Sequence, residues 1–268
     1  MTTQSSAQGV QLNFSTKLFY GLASLGASTI SGIYAALLPI FYQDYLGVSA
    51  RWIGIASLLY AIWNAINDPL FGHITDKTHS RLGRRIPYLR FTAPFLGLTF
   101  VLVWLAPPDA SQITKFIWML VTMLLYDTCY TIIGLVHGAL MPEISESDLE
   151  RTQLTISSTL FGLVGTLLGF VIPDFFRPKA GSMDTSLLSL QLSMVAVGVI
   201  GAFLIILTTL KVKERKEFAI VDTPLSLVQS LKYTLTSKSF LYFVAMNFMG
   251  TLMLSMSTGA IFYLADYV

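Results

Sequence analysis

The chain is poor in charge and in cysteine. Only 12% of its 268 residues are charged, about half the share of an ordinary soluble domain, which argues against a globular fold wetted on all sides. Its one cysteine, Cys129, rules out an internal disulfide and a cysteine-based metal cluster. No second histidine or cysteine is spaced to join His137 around a metal, so no metal site is expected. Basic residues are few and lie between apolar runs, which excludes a nucleic-acid partner. No nucleophile–base pair, metal set or phosphate loop is spaced for catalysis, so an enzyme and an organic cofactor are not expected. The polar residues 1–16 lack a cationic stretch leading into a short apolar core; they read as a cytoplasmic tail and not as a cleaved signal peptide.

What is abundant is apolar. Hydrophobic residues make up 54% of the chain, in runs of about 20 residues that recur along its whole length. Seven membrane spans are expected, at 17–45, 51–75, 86–107, 113–141, 153–176, 186–210 and 239–265. The fold class is therefore all-α, a polytopic membrane protein embedded among lipids. Lys77, Arg81, Arg84 and Arg85 follow the second span, and Lys211, Lys213, Arg215 and Lys216 follow the sixth. The opposite loops hold sparse, mixed charge, such as Asp44, Arg51, Asp109, Arg177, Lys179 and Asp184. Positive loops stay inside, which places the N-terminus in the cytoplasm and the chain in the cell membrane. The fourth-to-fifth connection, with Glu143, Glu146, Asp148 and Glu150, is then also inside. In residues 224–238 a helix at the inner interface is expected, because Leu227, Val228, Leu231 and Leu235 share one face. The expected organisation is a tail at 1–16, a six-helix bundle at 17–210, a cytoplasmic linker at 211–238 and a further helix at 239–268.

Polar groups inside the spans are few, and each needs a partner or a watery cavity, because a carboxylate at the bilayer centre costs about 2.5–3.5 kcal/mol. Ser28 and Thr29 lie mid-span in the first helix, Asn64 and Asp68 one turn apart in the second, and Asp127 and Thr131 one turn apart in the fourth. Together they are expected to line one midplane cavity. Two readings stand for Asp127: a proton or cation site, or a hydrogen-bonding hub that ties two helices. Asp68, just before Pro69, reads as structural or gating, and His137 as an interhelical hydrogen-bonder. Asp76 and the Arg81, Arg84 and Arg85 group are expected to pair with each other and with the acids at 143–150, Glu143 among them, and with Arg151 to form a gate that closes the cytoplasmic mouth in one state. Gly134 with Gly138, and Gly165 with Gly169, suit close helix contacts. A short echo, AALLP at 35–39 and GALMP at 138–142, falls in spans of opposite direction, as an inverted three-plus-three repeat requires.

The stretch WNAINDPLFGHITDKTHSRLGRRIPYL resembles the glycoside–pentoside–hexuronide:cation symporter family of the major facilitator superfamily. Trp63, Asp68, Pro69, Gly72, Asp76, Arg81, Gly83, Arg84, Arg85 and Pro87 match that family's long motif. KLFYGLASLG, FYQDYLG and ERTQLT, the last including Arg151, agree as well. The resemblance implies a twelve-helix carrier of which this sequence is the N-terminal six-helix bundle plus a seventh helix, the C-terminal half belonging to the full-length protein. It also implies symport of a small-molecule solute, a sugar or glycoside, with H+ or Na+ as coupling ion. Where the melibiose-permease branch carries aspartates in spans one, two and four, this chain has Ser28, Asn64 and Gly134, and Thr159 replaces a span-five arginine used for sugar, so the resemblance adds Thr159 to the residues expected at the cavity. Asp68 is kept, and Asp127 is placed to supply a replacement charge. Two rival readings remain: a lipid or lysolipid transporter of the same superfamily, and a truncated membrane protein that does not transport.

Overall fold

The computed structural model describes residues 12–78, 80–145, 147–176, 187–214 and 227–267. Expectations resting on Glu146, Arg177, Lys179, Asp184, Arg215, Lys216 and the side chains of Leu227, Val228 and Leu231 lie outside the described residues, as does most of the tail and part of the linker.

Among the described residues the regular structure is helical. α1 runs Phe14–Ile40 and closes in a π-helical turn, Phe41–Tyr45. It is followed by α2 (Ala50–Lys77), α3 (Ile86–Trp104), α4 (Gln112–Ile144), α5 (Asp148–Phe176) and α6 (Leu188–Lys211). Polar side chains start two of them. The Asn13 side chain accepts from Ser15 N–H at 3.3 Å, and Ser111 Oγ accepts from Thr114 N–H at 3.2 Å, each satisfying an N-terminal amide that has no partner inside its helix. The wide turn follows Pro39, which has no N–H for the ladder. It is fixed by Tyr42, whose hydroxyl donates to Val103 O at 2.8 Å, and by the buried Lys115, whose ammonium donates to Leu46 O at 2.8 Å.

Among the described residues five helices are long and apolar enough to cross a membrane: α1 with its π-turn, α3, α4, α5 and α6. α2 has the length, 28 residues, or about 42 Å at 1.5 Å per residue. Asn64, Asn67, Asp68 and His73 lower its apolarity. Large apolar side chains such as Phe95, Leu98, Leu160, Val199 and Phe203 are exposed around the helices, a surface suited to acyl chains and not to water.

The helices pair selectively. α1 packs on α5 and α6, α3 on α4 and α6, and α2 on α4. Exchange α1 with α4, α2 with α5 and α3 with α6, and this set of partners is unchanged. Such invariance is what two inverted triplets produce, and it is far stronger than the five-residue echo. Close approach comes from glycine. A Cβ on Gly165 would stand 2.6 Å from Leu25 O, and one on Gly26 would stand 2.6 Å from Gly201 O. Gly134 and Gly138 have the same four-residue spacing, yet a Cβ there meets nothing within 4 Å; the close packing expected of them is not present.

Residues 222–268 form a separate unit, within which the described chain contains α7 (Leu227–Thr236) and α8 (Lys238–Tyr267). α7, at 10 residues, is about 15 Å long and too short to span. α8 has 30 residues, and Asn247 in it donates back to Phe243 O at 3.0 Å.

Candidate functional site: a carboxylate between two helices and a charged cluster at their end

Asp127 is 2% exposed, on the face of α4 that meets α2. Three neutral donors from α2 converge on it. Tyr60 Oη donates to Oδ1 at 2.9 Å, Asn64 Nδ2 to Oδ1 at 3.1 Å and Asn67 Nδ2 to Oδ2 at 2.9 Å. Residues 60, 64 and 67 recur at i, i+4 and i+7, so one stripe of α2 faces the carboxylate. Among the described residues no cation pairs with Asp127, and its charge is held by hydrogen bonds alone. Asn67 is fully buried, and its Oδ1 has no partner among the described residues. Turning its amide over would set that oxygen against the carboxylate, so the orientation follows from repulsion as well as from the bond.

One turn along, Thr131 Oγ1 donates to Asp68 Oδ1 at 3.2 Å, and Asp68 itself is exposed. Trp63 Nε1 donates to Thr128 Oγ1 at 3.2 Å, extending the α2–α4 polar seam. The cluster presents carboxylate, carboxamide and hydroxyl oxygens, a hard-donor set suited to small hard cations or a proton.

Of the residues expected to share one cavity, Asn64, Asp68, Asp127 and Thr131 come together here. Ser28 lies on the α1–α5 seam, its Oγ 3.4 Å from where a Cβ on Gly162 would stand. Thr29 is buried and donates to Leu25 O, one turn back in its own helix, at 2.8 Å. Thr159 is exposed on α5. His137 makes the interhelical contact expected of it: its ring stacks on Tyr20 with centroids 4.2 Å apart, Nε2 lies 3.0 Å from Tyr20 O, and Tyr20 Oη donates to His137 O at 2.9 Å. Tyr60 and Asn67 were missed in the sequence, although Asn67 stands three residues after Asn64 in an apolar run.

At the end of the bundle carrying the basic 78–85 loop, charges are largely buried and paired. Arg84 Nη2 meets Glu143 Oε1 at 2.5 Å, and Arg85 Nε meets the same oxygen at 3.2 Å. Arg85 also reaches Asp76 at 2.5 Å and Thr75 Oγ1 at 3.2 Å. Glu214, unnoticed in the sequence, accepts from the backbone N–H groups of Arg84, Arg85 and Ile86 at 2.5, 2.6 and 2.5 Å. Its carboxylate thereby caps α3 at the positive end of the helix dipole. Lys17 meets Glu150 at 2.8 Å and also bonds Gln153, tying α1 to α5. Arg151 donates to Ser145 O at 2.8 Å. Arg81 is exposed and has no ion pair among the described residues.

A bundle of two inverted helix triplets, with polar groups sequestered mid-span and a charged latch at one end, is the architecture of a secondary carrier. Residues 19–268 match the model of the family described as MFS/sugar transport protein. This chain belongs to that family. It is similar to the putative glycoside/cation symporter YagG of Escherichia coli (strain K12), 28% identical over 96% of this chain and 55% of the relative. It is also similar to the uncharacterized symporter YnaJ of Bacillus subtilis (strain 168), at 32% over 74% of this chain and 43% of the relative. A third relative is the sodium-dependent lysophosphatidylcholine symporter 1 of Xenopus tropicalis, at 26% over 89% and 51%. The chain therefore spans about half the length of the curated relatives it matches.

Proposed function

We propose that the chain is one bundle of a secondary active transporter in the cell membrane, moving a sugar, glycoside or similar small organic solute by alternating access with H+ or Na+ symport. The observation that carries this reading is the buried Asp127, held by three neutral donors beside an unpartnered carboxamide oxygen and the Asp68–Thr131 pair. A coupling ion biases a carrier only through differential affinity for its two states. A carboxylate that is satisfied here by neutral groups is free to take a cation when the second bundle rearranges around it.

The orientation proposed has the N-terminus and the basic loops in the cytoplasm. The Asp76–Arg85–Glu143–Arg84 cluster then sits at the inner mouth and holds α2, the 78–85 loop and α4 together in one state. Asp127→Asn in the intact carrier, reconstituted in proteoliposomes, is the direct test. It is expected to abolish uptake driven by a proton or sodium gradient while solute exchange at equal ion concentration survives. Gradient-driven uptake at the unsubstituted rate would overturn the role given to Asp127.

A second reading, transport of a lysolipid, is favoured by one observation: the lysophosphatidylcholine symporter is matched over 89% of this chain. Competition separates the two. Inhibition of uptake by glycosides and not by lysophospholipids supports the first reading, and the reverse supports the second.

A further inference from the structure

α3 and α6 meet along a seam that changes character from one end to the other. At the end with the basic loop it opens into a cavity of about 630 Å³, whose cationic wall is Arg81, Arg90 and Lys213. Further along, the same two helices enclose an apolar groove of about 480 Å³. On α3 the lining passes from Arg90 through Pro94, Gly97 and Leu98 to Val101. These positions follow i, i+4, i+7, i+8 and i+11 and so share one face. On α6 it passes from Thr209 through Ile206, Ala202 and Val199 to Val195.

From Arg90 to Val101 the rise is about 16 Å, close to the half-thickness, about 15 Å, of a bilayer's hydrocarbon core. The cavity is thus at headgroup depth when the groove is at acyl-chain depth. Leu98, Val199 and Phe203, which line the groove, are exposed, so it opens where lipid lies.

We propose that this seam binds one anionic phospholipid of the leaflet on the basic-loop side, its phosphate among Arg81, Arg90 and Lys213 and one acyl chain in the apolar groove. The proposal rests on membrane embedding and stands whether or not the transport reading holds.

Charge complementarity selects the headgroup. Among the described residues of the cavity wall the one carboxylate, Glu214, is held by three backbone N–H groups at the start of α3 and faces the positive end of that helix. Arg90 uses two of its five N–H donors on Thr209, to Oγ1 at 3.2 Å and to O at 3.3 Å. The remainder of its fork is free to take a phosphate oxygen. Arg81 and Lys213 are exposed and have no ion pair among the described residues. A zwitterionic headgroup would bring its own cation into this cavity, so an anionic lipid is preferred.

Native mass spectrometry of the purified chain in detergent tests this, with dioleoyl phosphatidylglycerol or dioleoyl phosphatidylcholine added at equal concentration. One phosphatidylglycerol is expected to be retained in preference, and Arg81→Gln and Lys213→Gln each to lower its affinity about fivefold. Both residues are exposed, so the fold is kept, which an unchanged helical circular-dichroism spectrum checks. Val199→Trp, which fills the groove from its exposed rim, is expected to weaken retention with every cation intact. Equal retention of the two lipids by the unsubstituted chain would overturn the proposal. So would an unchanged preference in the Arg81→Gln/Lys213→Gln double variant, or displacement by inorganic phosphate or dihexanoyl phosphatidylglycerol as effective as by the dioleoyl form.

Discussion

Asp127 takes three hydrogen bonds from α2, and bonds to a charged group contribute about 1.5–3 kcal/mol against about 0.5–1.5 kcal/mol for neutral pairs. Tyr60→Phe removes one of the charged kind and leaves the ring in place. Thr128→Val removes the neutral acceptor of Trp63 in the same seam. Denaturant unfolding in detergent is therefore expected to rank Tyr60→Phe as the costlier change, by a kcal/mol or so. Asn64, Asp68 and Asp127 were legible in the sequence because lipid makes a carboxylate or amide conspicuous in an apolar run, and Thr131 followed from its place one turn after Asp127. Asn67 is conspicuous on the same ground, three residues after Asn64, and was missed. Tyr60 was not legible, because a tyrosine in such a run looks like one more apolar ring. Thr29 and Thr159 mark the opposite limit. A helical threonine can satisfy its hydroxyl on the carbonyl one turn back, as Thr29 does, so its presence does not demand a partner.

At the scale of the helix, small residues and buried charges decide fit. Gly165→Val is expected to force α1 and α5 apart, since even a Cβ would stand 2.6 Å from Leu25 O. Overpacking of that kind costs about 1–3 kcal/mol or more, to be read as a lowered melting temperature. Gly134→Ala, with open space at the same four-residue spacing, is expected to leave melting unchanged or raise it slightly. The two glycine pairs are indistinguishable in the sequence because spacing places residues on a face without saying which neighbour that face meets. Glu143→Gln leaves the guanidinium groups of Arg84 and Arg85 without their shared carboxylate. Breaking a buried pair from one side costs about 3–5 kcal/mol, and thermal unfolding should register it as the largest single loss among these variants. The arginines and Glu143 were legible together, since the motif and the acidic connection fall at one end of adjacent spans. Glu214 was not: its role depends on where the end of α6 meets the start of α3, and no local pattern encodes that distance.

For the whole molecule, topology gives the sharpest check. On a Cys129→Ser background, Asp44→Cys is expected to react with a membrane-impermeant maleimide in intact cells, and Arg81→Cys only after permeabilisation. Both parent residues are exposed at opposite ends of α2, and the reverse pattern would invert the proposed orientation. The places and order of α1–α6 were legible from apolar runs, while the pairing of those helices was not, because a uniformly greasy surface carries no address. The pairing has one more consequence. α1, α3, α4 and α6 each lean on two others, whereas α2 rests chiefly on α4 and α5 chiefly on α1. The pair behaves as two doors hung on opposite posts of a rigid frame. Each can swing about a single seam without prising the frame open, so slow amide exchange in the posts beside faster exchange in the doors would be the mechanical signature of this bundle.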